Sequence, residues 1–141
     1  MSSSFRGSCL CGGIEIQTSS TPLAVLSCFC IHCSKGAGGS HQIIAKFETQ
    51  FVRVLSGSDL ISNFTLADTS SGSPKEKSFC RTCGTPLWTT PSSAKGRYIL
   101  IRTSLLEGGT ELRPDSEIFV KFRPPWQQVV DGAVQWEQMR K

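Results

Sequence analysis

Long apolar runs are absent from the first half of this chain, where the longest is Leu23 to Leu26. A membrane helix needs roughly 18 such residues, and Met1 to Cys11 lacks the apolar core of a signal peptide. The expectation is a soluble, cytoplasmic protein with no membrane contact. Charge is scarce as well: Asp, Glu, Lys and Arg make up 18% of the 141 residues, and no long basic extension is present. That composition disfavours a nucleic-acid-binding tail. With no internal repeat and no linker, one domain spanning 1–141 is expected. Helical periodicity is rare too. Thirteen glycines and seven prolines beside 38% hydrophobic residues suit short strands joined by turns better than a helical bundle.

What the chain does have is cysteine in clusters. Cys9 and Cys11 form Cys-x-Cys, Cys28, Cys30 and Cys33 form Cys-x-Cys-x-x-Cys, and Cys80 and Cys83 form Cys-x-x-Cys. Seven is an odd number, and disulfides need pairs and an oxidising compartment. Tight spacing instead suits thiolates gathered around tetrahedral zinc, with Zn–S about 2.3 Å. A closed site takes four protein ligands, and a site kept open for water or substrate takes three. Seven ligands therefore divide naturally as four plus three. The central cluster supplies three, and the two outer pairs can meet around a second ion. Both outer pairs are followed by glycine, Gly12 and Gly84, as a tight knuckle requires. Seven thiolates on two Zn2+ would lower the formal net charge from +4 to about +1, so no polyanionic partner is needed.

Alternatives remain open for the central cluster. His32 or His41 would complete it as a second closed site, since imidazole is a common fourth ligand. Either histidine, or neither, with a zinc-bound water instead, would carry a proton in a reaction there. The stretch Gly36-Ala37-Gly38-Gly39 reads as a flexible loop, with backbone amides offered to a substrate carboxylate as the competing reading. Nucleobase deamination also uses cysteine-bound zinc, but its motif needs Glu two residues after a ligand and proline before the Cys-x-x-Cys. Here Phe79 precedes Cys80.

Strands are expected at Gly13–Gln17, Leu23–Ser27, Leu60–Leu66, Lys77–Phe79, Tyr98–Arg102 and Glu117–Phe122, with His41–Phe47 and Phe51–Leu55 as a hairpin pair. Asp68 to Pro74 and Pro91 to Gly96 read as loops. Arg123-Pro124-Pro125-Trp126 ends the last strand, Trp126 reads as a core or rim residue, and Val134 to Lys141 reads as a short terminal helix.

Over nearly its whole length the chain resembles the glutathione-dependent formaldehyde-activating enzyme family. The matching pieces come in the family's order: Gly7 to Gly13, Cys28 to Ser34, Phe79 to Leu87, and Ile118 to Lys121 running into Pro125-Trp126. The resemblance implies an all-β, Mss4-like β-tent of antiparallel sheets around a structural zinc. It also implies a structural zinc on Cys9, Cys11, Cys80 and Cys83, a catalytic zinc on Cys28, Cys30 and Cys33, and carbon–sulfur lyase chemistry joining a glutathione-like thiol to an aldehyde. Three thiolates leave zinc with a formal charge of −1, a soft site suited to a substrate thiol. The same chemistry on another thiol or carbonyl compound of small-molecule biosynthesis, or a non-catalytic zinc-stabilised binding domain, are the competing functions. Nothing in the sequence sets the oligomeric state.

Overall fold

Alternating side chains along short strands dictate a sheet with two differently packed faces. The computed structural model of the chain describes residues 4–69 and 71–139. Its strands are β1 (Phe5–Ser8), β2 (Glu15–Thr18), β3 (Ala24–Cys28), β4 (Gln42–Glu48), β5 (Val52–Ser56), β6 (Ile61–Leu66), β7 (Lys75–Cys80), β8 (Pro86–Pro91), β9 (Tyr98–Arg102), β10 (Ser116–Ile118) and β11 (Val134–Gln135), with one α-helix, α1 (Ile31–Ala37). They form a three-stranded sheet ordered β1-β2-β5 and an eight-stranded sheet ordered β11-β10-β3-β4-β9-β8-β7-β6. Pairing is antiparallel except where β10 meets β3 and β11. The architecture is all-β.

The central strands show how sequence assigns faces. In β3, Val25 enters one buried cluster with Ala45, Phe47, Ile99 and Ile101. Its neighbours Leu26 and Cys28 enter another with Cys33, Ile44 and Ile118. The period of two thus separates two cores across one sheet. Phe47 is fully buried, and burying such a side chain stabilises by about 1.5–3 kcal/mol.

Several expectations change. The segments near His41–Phe47 and Phe51–Leu55 are strands but not a hairpin: β4 pairs with β3 and β9, while β5 pairs with β2 in the other sheet. The Gly36–Gly39 stretch is not simply a loop, because α1 runs to Ala37. Cys30 caps its start by accepting the Cys33 N–H, and left-handed Gly38 closes its end. The strand expected through Phe122 stops at Ile118. Phe119 is the sole non-glycine residue at positive φ (55°) among the described residues, a conformation costing about 1–2 kcal/mol. The terminal helix is absent from the described part of Val134–Lys141. Val134–Gln135 is strand β11, and Lys141 with its neighbour Arg140 lies outside the described residues. Trp126 is 75% exposed, which removes the core reading. Strands β1 and β8 are additional to those expected.

The segment after Phe122 is tied down by one buried carboxylate. Glu117, 1% exposed, accepts hydrogen bonds at Oε1 from Arg123 Nη2 at 3.1 Å, the Val130 N–H at 2.8 Å and Gln135 Nε2 at 3.1 Å. Further along, Phe119 N–H donates to Gln138 O and Val120 N–H to Trp136 O, which hold the strained residue in place. Removing one partner of a buried pair leaves the other charge uncompensated. Glu117→Ala should therefore cost about 3 kcal/mol or more in urea unfolding, and a loss below about 0.5 kcal/mol, the range of ordinary surface changes, would show the network to be dispensable.

Candidate metal centres

The outer cysteine pairs sit on knuckles that follow β1 and β7. Gly12 N–H donates to Cys9 O at 2.9 Å and Gly84 N–H to Cys80 O at 2.8 Å. Both glycines have φ of 76°, which side-chain-bearing residues rarely adopt. The knuckles face each other, bridged by Leu10 N–H donating to Thr85 Oγ1 at 3.0 Å. Their four sulfurs, from Cys9, Cys11, Cys80 and Cys83, all lie within 4.8 Å of one another. Cys9–Cys11 and Cys11–Cys80 sulfur separations are 3.5 and 3.8 Å, close to the roughly 3.8 Å edge of a tetrahedron with Zn–S about 2.3 Å. Ile14 N–H points at Cys9 Sγ, and a hydrogen bond with the Thr85 hydroxyl leads in holding the Cys83 thiol down to about 5. Four sulfurs can hold a metal ion here, and the donor set is compatible with zinc.

The central cluster is built where β3 turns into α1. Cys28 ends the strand, Cys30 caps the helix and Cys33 lies one turn in, bringing three sulfurs within 4.8 Å. Phe29 between them turns away, buried against the His41 ring at a centroid distance of 4.9 Å and beneath the Arg123 guanidinium. Hydrogen bonds from Cys28 and then Cys33 hold the Cys30 thiol down to about 2. The reciprocal bonds, to Cys30 first, push Cys28 strongly upward. Such a charge-sharing trio suits a cation. Gln42 adds a contact, Nε2 donating to Cys33 Sγ at 2.8 Å.

This trio lines a cavity of about 550 Å³ over one face of the large sheet. His32 also lines it, yet its Nε2 pairs with Asp68 Oδ1 at 3.1 Å. His41 is bonded to Ser40 and stacked on Phe29. Among the described residues neither histidine joins the sulfurs. Gln42, Lys75, Lys77 and Arg102 share the cavity wall and were not legible as site residues: they come from β4, β7 and β9, with no local spacing to link them.

The family model for the glutathione-dependent formaldehyde-activating enzyme matches residues 4–122. A Halomonas elongata protein named "Putative glutathione-dependent formaldehyde-activating enzyme" is 31% identical over 84 residues, which are 59% of this chain and 54% of that protein; the match thus spans about half of the relative's length. A Rhodobacter sphaeroides crystal structure superposes with a TM-score of 0.59 at 21% identity, covering 93% of this chain and 98% of that one, so the likeness is one of fold. No helix among the described residues is long and apolar enough to cross a membrane. With the family model matching most of its length, the chain belongs to the glutathione-dependent formaldehyde-activating enzyme family.

Proposed function

We propose that this chain is a zinc-dependent carbon–sulfur lyase acting on a thiol–aldehyde adduct. Glutathione with formaldehyde, forming S-hydroxymethylglutathione, is the first pair to consider. Three clustered sulfurs at the wall of a cavity, with no fourth described His, Cys, Asp or Glu beside them, carry the reading. The four-cysteine group is assigned a structural zinc, and Cys28, Cys30 and Cys33 a catalytic one. We also read the chain as a single domain, 1–141, of the cytoplasm, where its free thiols stay reduced.

Zinc held by three thiolates supplies a soft position that keeps a substrate thiol ionised near neutral pH, where a free thiol of pKa about 8.5 is mostly protonated. The residues around it do the positioning. Gln42 fixes Cys33 through its Nε2 donor, and Cys30 is fixed as the cap of α1. Overall, the thiol sulfur bonds to the carbonyl carbon, and the thiol proton ends on the former carbonyl oxygen. The reverse direction breaks that C–S bond and regenerates the aldehyde.

Exchange-rate NMR on mixtures of formaldehyde with glutathione and other small thiols tests the assignment. Adduct formation should run faster with protein than the spontaneous reaction. Absence of acceleration for every thiol, with zinc present, would remove the lyase assignment and favour the binding-domain reading.

A further inference from the structure

Charge on the cavity wall is one-sided. Among the described lining residues, Lys46, Lys75, Lys77 and Arg102 are cations, and Asp68 is the single carboxylate. Asp68 sits exposed and already engages His32. None of the four cations forms a salt bridge with a described carboxylate. Lys46 instead lies over the Tyr98 ring, 4.1 Å from its centroid. The Lys77 ammonium lies against α1, where a Cβ on Gly36 would come within 2.9 Å of Nζ.

Arg102 is the sharpest case. It is 5% exposed, the one hydrogen bond of its side chain among the described residues runs from Nη1 to Leu100 O at 3.4 Å, and its buried Nε has no partner. Gln42, also buried, spends Nε2 on Cys33 and leaves Oε1 unpartnered. Buried polar atoms are normally satisfied, and a buried cation normally has a counter-charge. Thiolates offset part of this field, but a zinc centre with three of them contributes a single net negative charge. Counting Asp68 as well, a surplus of two positive charges faces the cavity.

We propose that the cavity selects a ligand carrying two carboxylates and no ammonium, a dicarboxylate thiol or its carbonyl adduct, held by Arg102 with Lys75 and Lys77. The inference rests on the three-thiol centre being the reaction site and names the substrate class that site takes; it ranks a dicarboxylate thiol ahead of glutathione, whose ammonium group this wall disfavours. An ammonium group would meet four cations and a single occupied acid, whereas charge-assisted bonds to carboxylate satisfy Arg102 directly.

Succinate, β-alanine, 2-mercaptosuccinate and glutathione, titrated into the zinc-loaded protein and followed by amide NMR shifts, separate the possibilities. Succinate should bind roughly tenfold or more tightly than β-alanine, and its affinity should weaken with salt. Mercaptosuccinate should bind more tightly than glutathione. Arg102→Met should remove the succinate preference. Because a buried arginine can be needed for folding, the paired change Lys75→Ala with Lys77→Ala, at partly exposed positions, is measured too and should weaken succinate roughly tenfold. Equal binding of succinate and β-alanine, or a succinate affinity unmoved in folded variants, overturns the inference. Mercaptosuccinate binding no more tightly than succinate would overturn the thiol-binding role of the cysteines while leaving the carboxylate subsite standing. Tight binding of thiols irrespective of their charge would do the opposite.

Discussion

Cys30→Ser should slow the thiol–aldehyde reaction by about 1,000-fold, the equivalent of about 4 kcal/mol of transition-state stabilisation, while the chain stays folded. Serine is among the preferred helix-capping residues, so the hydroxyl can take over the cap that Cys30 provides to the Cys33 N–H. What it cannot replace is the third thiolate. Two sulfurs hold zinc poorly, so zinc per chain should fall from two to one in elemental analysis, with the thermal transition moving only slightly. A variant that keeps both ions and full turnover would show that the central cluster is not the reaction site.

Cys80→Ser should have the opposite profile, loss of the fold itself. Cys80 is fully buried and belongs both to the four-sulfur group and to the core between the sheets. Structural zinc contributes apparent binding free energies of about 10–16 kcal/mol in small zinc domains, whereas whole domains are stable by about 5–15 kcal/mol. Even a partial loss consumes the margin. The cooperative unfolding transition should disappear at 25 °C, and chelator treatment of the unaltered protein should reproduce that loss more slowly. A Cys80→Ser chain that melts normally and retains two zincs would refute the four-plus-three division.

The cysteine groupings were legible because ligand chemistry is local and countable: residues one to three apart must be near each other, and coordination number limits how groups combine. Strand existence at Tyr98–Arg102 was legible for a similar reason, as a short run of aromatic and branched apolar residues, Tyr98-Ile99-Leu100-Ile101, is written in consecutive positions. Partner choice was not. His41–Phe47 and Phe51–Leu55 are adjacent in sequence, and a short connection favours a hairpin, yet the turn at Thr49–Phe51 sends β5 into the other sheet. Helix α1 was hidden because two of its features, a cysteine cap and a glycine-rich end, read as metal ligands and loop. Val134–Gln135 failed for the converse reason: eight residues carry too little periodicity to choose between a helix and a strand whose pairing with β10 is tertiary. Arg102 illustrates the limit for sites. Its strand was expected, but only pairing opposite Ile44, over a face shared with three thiols, makes it a candidate ligand contact.

The Glu117 network carries a consequence for where this molecule ends as a folding unit. The family match stops at Phe122, yet all three groups that donate to the Glu117 carboxylate, the Arg123 guanidinium, the Val130 amide and the Gln135 amide, lie beyond it. A chain cut at the family boundary would lose β11, uncover the free edge of β10 and strand an anion inside the sheet beside β3. That strand delivers Cys28 to the central cluster. The part recognisable as the family and the part that physics requires are therefore of different lengths, and residues 123–139 serve as ballast for its reactive end.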